Sequence, residues 1–157
     1  MKGSDFVVIE NMESILKCPV CNLSLKKYKK QYTCSNNHSY DIASKGYINL
    51  LLANQKKTKD PGDSKEMMDG RKEFLNRGYY HTFSDRLNEI IISNITGNNI
   101  NILDVGCGEG YFLSRLKKAI YEKKLNCSQN KKIDFFGVDI SKAAVTYATN
   151  RDKEINF

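Results

Sequence analysis

Apolar and polar positions alternate in short stretches up to about residue 58 and settle into longer periods afterwards. Residues 17–58 combine these short stretches with Lys-rich turns and no helical periodicity, which predicts a small, loop-rich β module. Ahead of it, Phe6, Val7, Val8 and Ile9 form the compact apolar run of a leader to which no function attaches. Asp60-Pro61-Gly62-Asp63-Ser64 then breaks the chain. Proline fixes φ, glycine admits positive φ, and Asp63 or Ser64 can cap a helix beyond the break. There Met67, Met68, Phe74 and Leu75 recur at helical spacing, with Gly78 as a C-terminal stop. A second helix is predicted from about Ser84 to Ile95, with Phe83, Leu87, Ile90, Ile91 and Ile95 on or near one face. The period then shortens. Asn99 to Val105 reads as a buried strand, Gly106 to Gly110 as a glycine turn, and Tyr111 to about Lys124 as an amphipathic helix. A polar loop, Leu125 to Lys132, leads to a second strand, Ile133 to Asp139, and Ser141 caps a helix starting at Lys142. Strand, glycine turn, helix, strand, helix is the opening of a parallel α/β sheet.

Charge sharpens this division. Lys and Arg outnumber Asp and Glu 25 to 18 overall, but between Lys17 and Lys59 the ratio is nine to one, the acid being Asp41. An N-terminal module this basic suits a polyanion, whose phosphates supply affinity without sequence choice. Lys26, Lys27, Lys29 and Lys30 interleave with Tyr28 and Tyr32, and Lys56, Lys57 and Lys59 come after them. Cations alternating with rings fit RNA loops, where exposed bases stack on aromatics. The same lysines also serve solubility, and Tyr28, Tyr32 and Tyr40 equally suit a small core. No run approaches the ~18 apolar residues of a membrane span, so a cytoplasmic protein with no membrane partner is expected.

The five cysteines are an odd number, and three of them cluster with a histidine, which points to a reduced compartment and a metal site rather than a disulfide framework. Cys18-Pro19-Val20-Cys21, twelve residues, then Cys34-Ser35-Asn36-Asn37-His38 gives C-x2-C-x12-C-x3-H. Zinc takes four tetrahedral thiolate and imidazole ligands, and a two-residue gap lets one tight turn present both sulfurs of a pair. Cys18, Cys21, Cys34 and His38 are therefore the candidate ligands of a structural Zn2+, with no open position for chemistry. Cys107 and Cys127 remain, Cys107 as a small side chain inside the glycine turn.

That turn reads Asp104-Val105-Gly106-Cys107-Gly108-Glu109-Gly110. A dinucleotide fingerprint would need a third glycine at position 111, which is tyrosine. The observed D-x-G-x-G-x-G resembles motif I of the class I methyltransferases, whose cofactor is S-adenosylmethionine. A pyrophosphate would seek the helix N-terminus, whereas that cofactor brings a sulfonium and an ammonium, which suit carboxylates such as Asp104 and Glu109. Asp139 ends the second strand, where an acid can accept ribose hydroxyls. It lies 33 residues after Gly106, beyond the usual ~20, with the polar insert near 126–132 accounting for the excess. Other nucleotides, or a purely structural turn, are the alternatives.

The series C-P-x-C, C-x3-H, S-x-G-Y-I-N-L (44–50), K-D-P-G-D-S (59–64), E-M-M (66–68), R-K-x-F-L (71–75), G-Y-Y and L-D-V-G-C-G-E-G-Y resembles the bacterial 23S rRNA guanine-N1 methyltransferases. The group includes relatives linked to macrolide resistance. The resemblance runs from about Cys18 to Asp139 and covers the N-terminal portion of that architecture. It implies a zinc-ribbon RNA-recognition module, a Rossmann-like class I methyltransferase domain bound to S-adenosylmethionine, 23S rRNA as substrate, and a homodimer whose zinc modules flank the RNA. Carried over by position, it places cofactor contacts on Tyr80, Gly108 and Glu109, joining Asp104, Gly106 and Asp139 from the turn. The expected division is a zinc module at 1–59, a helical linker at 60–98 and an incomplete α/β domain at 99–157. With two strands of that domain in hand, no catalytic residue is assigned, and low activity is expected of the 157-residue chain by itself. A non-enzymatic zinc-ribbon RNA-binding protein, or a methyltransferase of the same architecture with another substrate, are the rival readings.

Overall fold

A computed structural model describes residues 15–56, 58, 61–123 and 131–157. The chain divides between Lys57 and Thr58 into two compact units.

The first unit is an antiparallel sheet, β1 (Lys26–Tyr28), β2 (Gln31–Thr33) and β3 (Ser39–Asp41), in that order. It is joined to two tight turns. In the first, the Asn22 N–H donates to Cys18 O at 2.8 Å, and in the second Asn37 donates to Cys34 O at 2.9 Å. Asn22 and Asn37 both sit in the left-handed region, at φ 58° and 61°, a conformation asparagine accepts more readily than most side chains. Cys18, Leu25, Tyr32 and Cys34 form the core, packed by Leu16, Cys21, Tyr40, Ile42, Ile48 and Leu50. The G-Y-I-N-L stretch thus supplies core: Tyr47 is buried, and Ile48 and Leu50 lie against the cysteines. A 3-10 turn, Ala53–Gln55, comes next.

The second unit runs α1 (Lys65–Asn76), α2 (His81–Ser93), β4 (Asn99–Val105), α3 (Tyr111–Glu122), β5 (Lys132–Val138) and α4 (Lys142–Arg151). β4 and β5 pair in parallel from Asn99↔Lys132 to Val105↔Val138, and Phe136 makes a further parallel bridge to Asn156 on its other side. A small-β zinc-ribbon-like module followed by helices and a β-α-β-α segment is the architecture expected from the sequence. Leu113, Leu116, Ile120, Phe135 and Ile155 make the core between α3 and the sheet.

Several details depart from the sequence pattern. α2 starts at His81 rather than Ser84, because Gly78, at φ 86°, turns the chain and its carbonyl accepts from the His81 N–H at 2.9 Å. Its inward face is Ser84, Asn88, Ile91 and Ile92, whereas Phe83 and Ile90 are exposed. In α1 only Met68 and Leu75, one heptad apart, are buried; Met67 and Phe74 face solvent. α3 ends at Glu122, while Lys124 and most of the expected loop, with Cys127, lie outside the described residues, as does the 6–9 leader run. On β4 Ile100, Ile102 and Asp104 turn inward, and Leu103 and Val105 are exposed, Val105 at 76%.

The P-G-D-S segment has a packing reason. A Cβ on Gly62, at φ 85°, would meet Ser141 Cβ at 2.7 Å, so only glycine allows that approach. Ser141 Oγ donates to Asp63 O at 2.8 Å and accepts from Ala144 N at 3.2 Å, capping α4 as expected while tying down the segment. Ser64 caps α1 through Met67 N, and Asp63 pairs with Arg71 at 3.2 Å.

Candidate functional site

In the first unit the four predicted ligands converge: Cys18, Cys21 and Cys34 Sγ and the His38 ring nitrogen lie within 4.8 Å of one another. Cys21 Sγ is 3.6 Å from Cys34 Sγ, and His38 Nδ1 is 3.5 and 3.4 Å from Cys18 and Cys34 Sγ. Zinc bonds of about 2.3 Å to sulfur and 2.0–2.1 Å to nitrogen imply tetrahedral edges of about 3.8 and 3.5 Å. The donor set therefore fits Zn2+ in both chemistry and spacing, with Nδ1 as the imidazole ligand.

Tyr40 carries no spacing signal that would place it in this centre. Its hydroxyl nevertheless lies 3.2 Å from Cys18 Sγ and donates to the thiolate. Burial raises the Cys18 thiol, but the hydrogen bonds from Tyr40 and from the Cys21 and Val20 N–H groups outweigh it and bring the thiol down to about 6. Burial and then the neighbouring thiolates push the Tyr40 hydroxyl to about 12. Partners of this kind orient and tune metal ligands. Tyr40→Phe is accordingly expected to weaken zinc retention about 10- to 100-fold, read by competition against a chromogenic chelator, with the sheet intact by circular dichroism. Unchanged retention would leave Tyr40 as core alone.

The candidate RNA-contacting lysines Lys26, Lys27, Lys29 and Lys30 fall together on the β1–β2 hairpin, β1 being exposed throughout. Lys29 occupies the turn at φ 56°, its Nζ 5.4 Å from the Tyr28 ring centroid. Of the three tyrosines, Tyr32 is buried and Tyr40 packs on the metal core, while Tyr28 is 62% exposed. Lys56 is exposed after the 3-10 turn; Lys57 and Lys59 lie outside the described residues.

In the second unit the glycine turn stands at the carboxyl ends of β4 and β5, where ligands of open α/β sheets bind. Gly106, Gly108 and Gly110 have φ 77°, 55° and 76°, and a Cβ on Gly106 would meet nothing within 4 Å. Asp139 braces the turn: its carboxylate accepts from Gly108 N at 2.9 Å and Ser141 N at 2.8 Å. Burial, and then the Asp139 charge, raise the Asp104 carboxyl above its ordinary value. Two carboxylates thus stand beside a turn of positive-φ glycines, residues that could hold a cationic ligand bearing hydroxyls. Cys107 is buried, its thiol pushed to about 12 by burial, Asp104 and Asp139, and fills space as expected.

Glu109 is held differently from the two aspartates. It is 2% exposed, and its Oε2 accepts from Arg151 Nε at 3.0 Å and from Nη2. Its Oε1 has no hydrogen-bond partner among the described residues. Tyr80 occupies the N-terminal boundary of α2, its ring against Phe74, Phe83 and Phe112, the last in the first turn of α3.

Residues 16–59 match a family described as "RlmA, N-terminal", a zinc ribbon, and residues 96–157 one described as a methyltransferase domain. The chain carries an RlmA-type zinc ribbon and methyltransferase-domain sequence. Over 108 residues, 68% of the chain and 38% of the relative, it is 31% identical to the 23S rRNA (guanine(748)-N(1))-methyltransferase of Streptomyces fradiae. Over 76 residues, 46% of the chain and 25% of the relative, it is 40% identical to a protein of Micromonospora griseorubida named as a 23S rRNA (guanine-N(1)-)-methyltransferase. The chain thus spans between a quarter and two fifths of the curated relatives it matches. The metal cluster lies within the RlmA-type ribbon, and the glycine turn within the methyltransferase match.

Proposed function

We propose that this chain supplies the RNA-binding and cofactor-binding parts of an S-adenosylmethionine-dependent methyltransferase acting on N1 of a guanine in a 23S rRNA hairpin. The observation that carries the reading is the open glycine turn flanked by Asp104 and Asp139, on a chain that also holds a zinc-supported lysine hairpin. Bound there, adenosylmethionine supplies an electrophilic methyl group. Gly106 leaves room for close approach, and the two acids answer the cofactor's positive charge and ribose hydroxyls. Lys26, Lys27, Lys29 and Lys30 hold phosphates, and exposed Tyr28 offers a face for an unpaired base. Cys18, Cys21, Cys34 and His38 keep that hairpin in shape. A homodimer and a cytoplasmic setting belong to the same reading; among the described residues no helix is long and apolar enough to cross a membrane.

The raised Asp104 supplies the test. An acid whose folded-state pKa exceeds its unfolded value binds protons more tightly when folded, so stability falls as pH rises from the unfolded pKa through the folded one. Asp104→Asn removes that cost at neutral pH. The variant is expected to melt higher than the wild-type chain and to bind adenosylmethionine about tenfold more weakly by isothermal titration. Hairpin RNA should bind both chains equally, with affinity falling steeply as salt rises. RNA binding without any cofactor heat would favour a non-enzymatic RNA-binding module; neither binding would end the proposal.

A further inference from the structure

We propose that Arg71 receives the carboxylate of the cofactor's amino-acid end, an assignment that rests on the adenosylmethionine reading above. The amino-acid end of that molecule is a zwitterion. Asp104 and Asp139 can answer an ammonium, a sulfonium and hydroxyls, but neither can accept a carboxylate. A carboxylate drawn out of water needs a charged or multiple hydrogen-bond donor.

Two guanidiniums approach the glycine turn, and their situations differ. Arg151 is occupied: Nε donates to Glu109 O and Oε2, and Nη2 to Glu109 Oε2 and to Asn76 Oδ1 at 3.0 Å. Arg71 stands with Nη1 3.4 Å from the position a Cβ on Gly108 would take. Its other terminal nitrogen, Nη2, is held by Asp63 Oδ2 at 3.2 Å, and its side chain is 51% exposed.

Asp63 is in turn fixed, because its carbonyl accepts from Ser141 Oγ and Gly62 packs against Ser141 with no space for a Cβ. Ser141 N donates to Asp139, which also holds Gly108 N. One continuous set of contacts therefore orients Arg71 toward the turn and the turn toward its ligand. The fork of a guanidinium can keep Asp63 on one nitrogen and offer the other to a carboxylate. This also gives the P-G-D-S segment a task beyond linking two units: Asp63 aims the arginine.

The experiment is isothermal titration of the full 157-residue chain, and of Arg71→Gln and Arg71→Lys, with adenosylmethionine and with decarboxylated adenosylmethionine. The second ligand keeps the sulfonium, adenosine and ammonium and lacks only the carboxylate. The wild-type chain is expected to prefer adenosylmethionine by about 10- to 100-fold. Arg71→Gln should bind both ligands alike, near the wild-type affinity for the decarboxylated one, and Arg71→Lys should regain part of the preference. If Arg71→Gln weakens both ligands by the same factor, or keeps the wild-type preference, Arg71 only braces Asp63 and the assignment is overturned. If the wild-type chain binds neither ligand, the cofactor reading falls and the assignment with it.

Discussion

Removal of zinc is expected to unfold residues 16–56 while the second unit stays folded. Among the described residues, the core cluster of the first unit holds four buried side chains, two of which, Cys18 and Cys34, are candidate metal ligands. Modules this small seldom bury enough apolar surface to stand without a metal or disulfides. A structural zinc is worth about 10–16 kcal/mol of apparent binding energy, which is folding energy when no site exists in the unfolded chain. Without the ion, three sulfurs and an imidazole that lie within 4.8 Å of one another lose what draws them together. In 15N-labelled chain, excess chelator should collapse the amide dispersion of residues 16–56 and leave that of 61–123 and 131–157, with recovery on adding Zn2+. Cys34→Ser should mimic the chelator. Acid should act in the same direction, because protons compete for the thiolates and the imidazole. Retention of native dispersion in metal-free protein would show that the apolar packing suffices.

Arg151→Met should be the most damaging single change in the second unit. It leaves Glu109, 2% exposed, without the guanidinium that donates to its Oε2, while among the described residues Oε1 has no hydrogen-bond partner to compensate. Breaking a buried pair from one side costs about 3–5 kcal/mol, since the remaining charge stays desolvated. Arg151 also donates to the Glu109 carbonyl and to Asn76, and lies 5.6 Å from the Tyr111 ring centroid, so α4, the glycine turn and α1 loosen together. Chemical denaturation would measure the loss. The double variant with Glu109→Gln should recover part of it, since no orphaned charge remains. Equal losses in the single and double variants would place the effect in the packing of the arginine stem instead.

The two local patterns of the sequence translated directly into structure. Two Cys/His pairs at ligand spacing suit tight turns around one metal ion, and a strand running into glycines and then an amphipathic helix has few alternatives, so the metal cluster and the β4–α3–β5 order were both legible. What failed to read is long-range. Phe83 and Ile90 are as apolar as Ile91 and Ile92, and helical periodicity does not say which side turns inward. Ser84 is buried because Arg115, 31 positions on, donates to its hydroxyl at 2.9 Å. The Glu109–Arg151 pair spans 42 positions and is set by the packing of α4 against the turn. Tyr40 looked like any small-core aromatic until β3 brought its hydroxyl to Cys18.

The pairing of the second sheet has a kinetic side. Among the described residues β4 has one hydrogen-bonded neighbour, whereas β5 has β4 on one side and Asn156 on the other. Local opening favours the less supported strand, so amide exchange should be faster along Asn99–Val105 than along Lys132–Val138. β4 is also the strand from which Asp104 and the glycine turn are suspended. A ligand held at that turn binds the closed form and not the opened one, so its free energy adds to the protection of β4 in proportion to RT ln(1 + [L]/Kd). Hydrogen exchange in this strand thereby becomes a gauge of occupancy that requires neither turnover nor RNA.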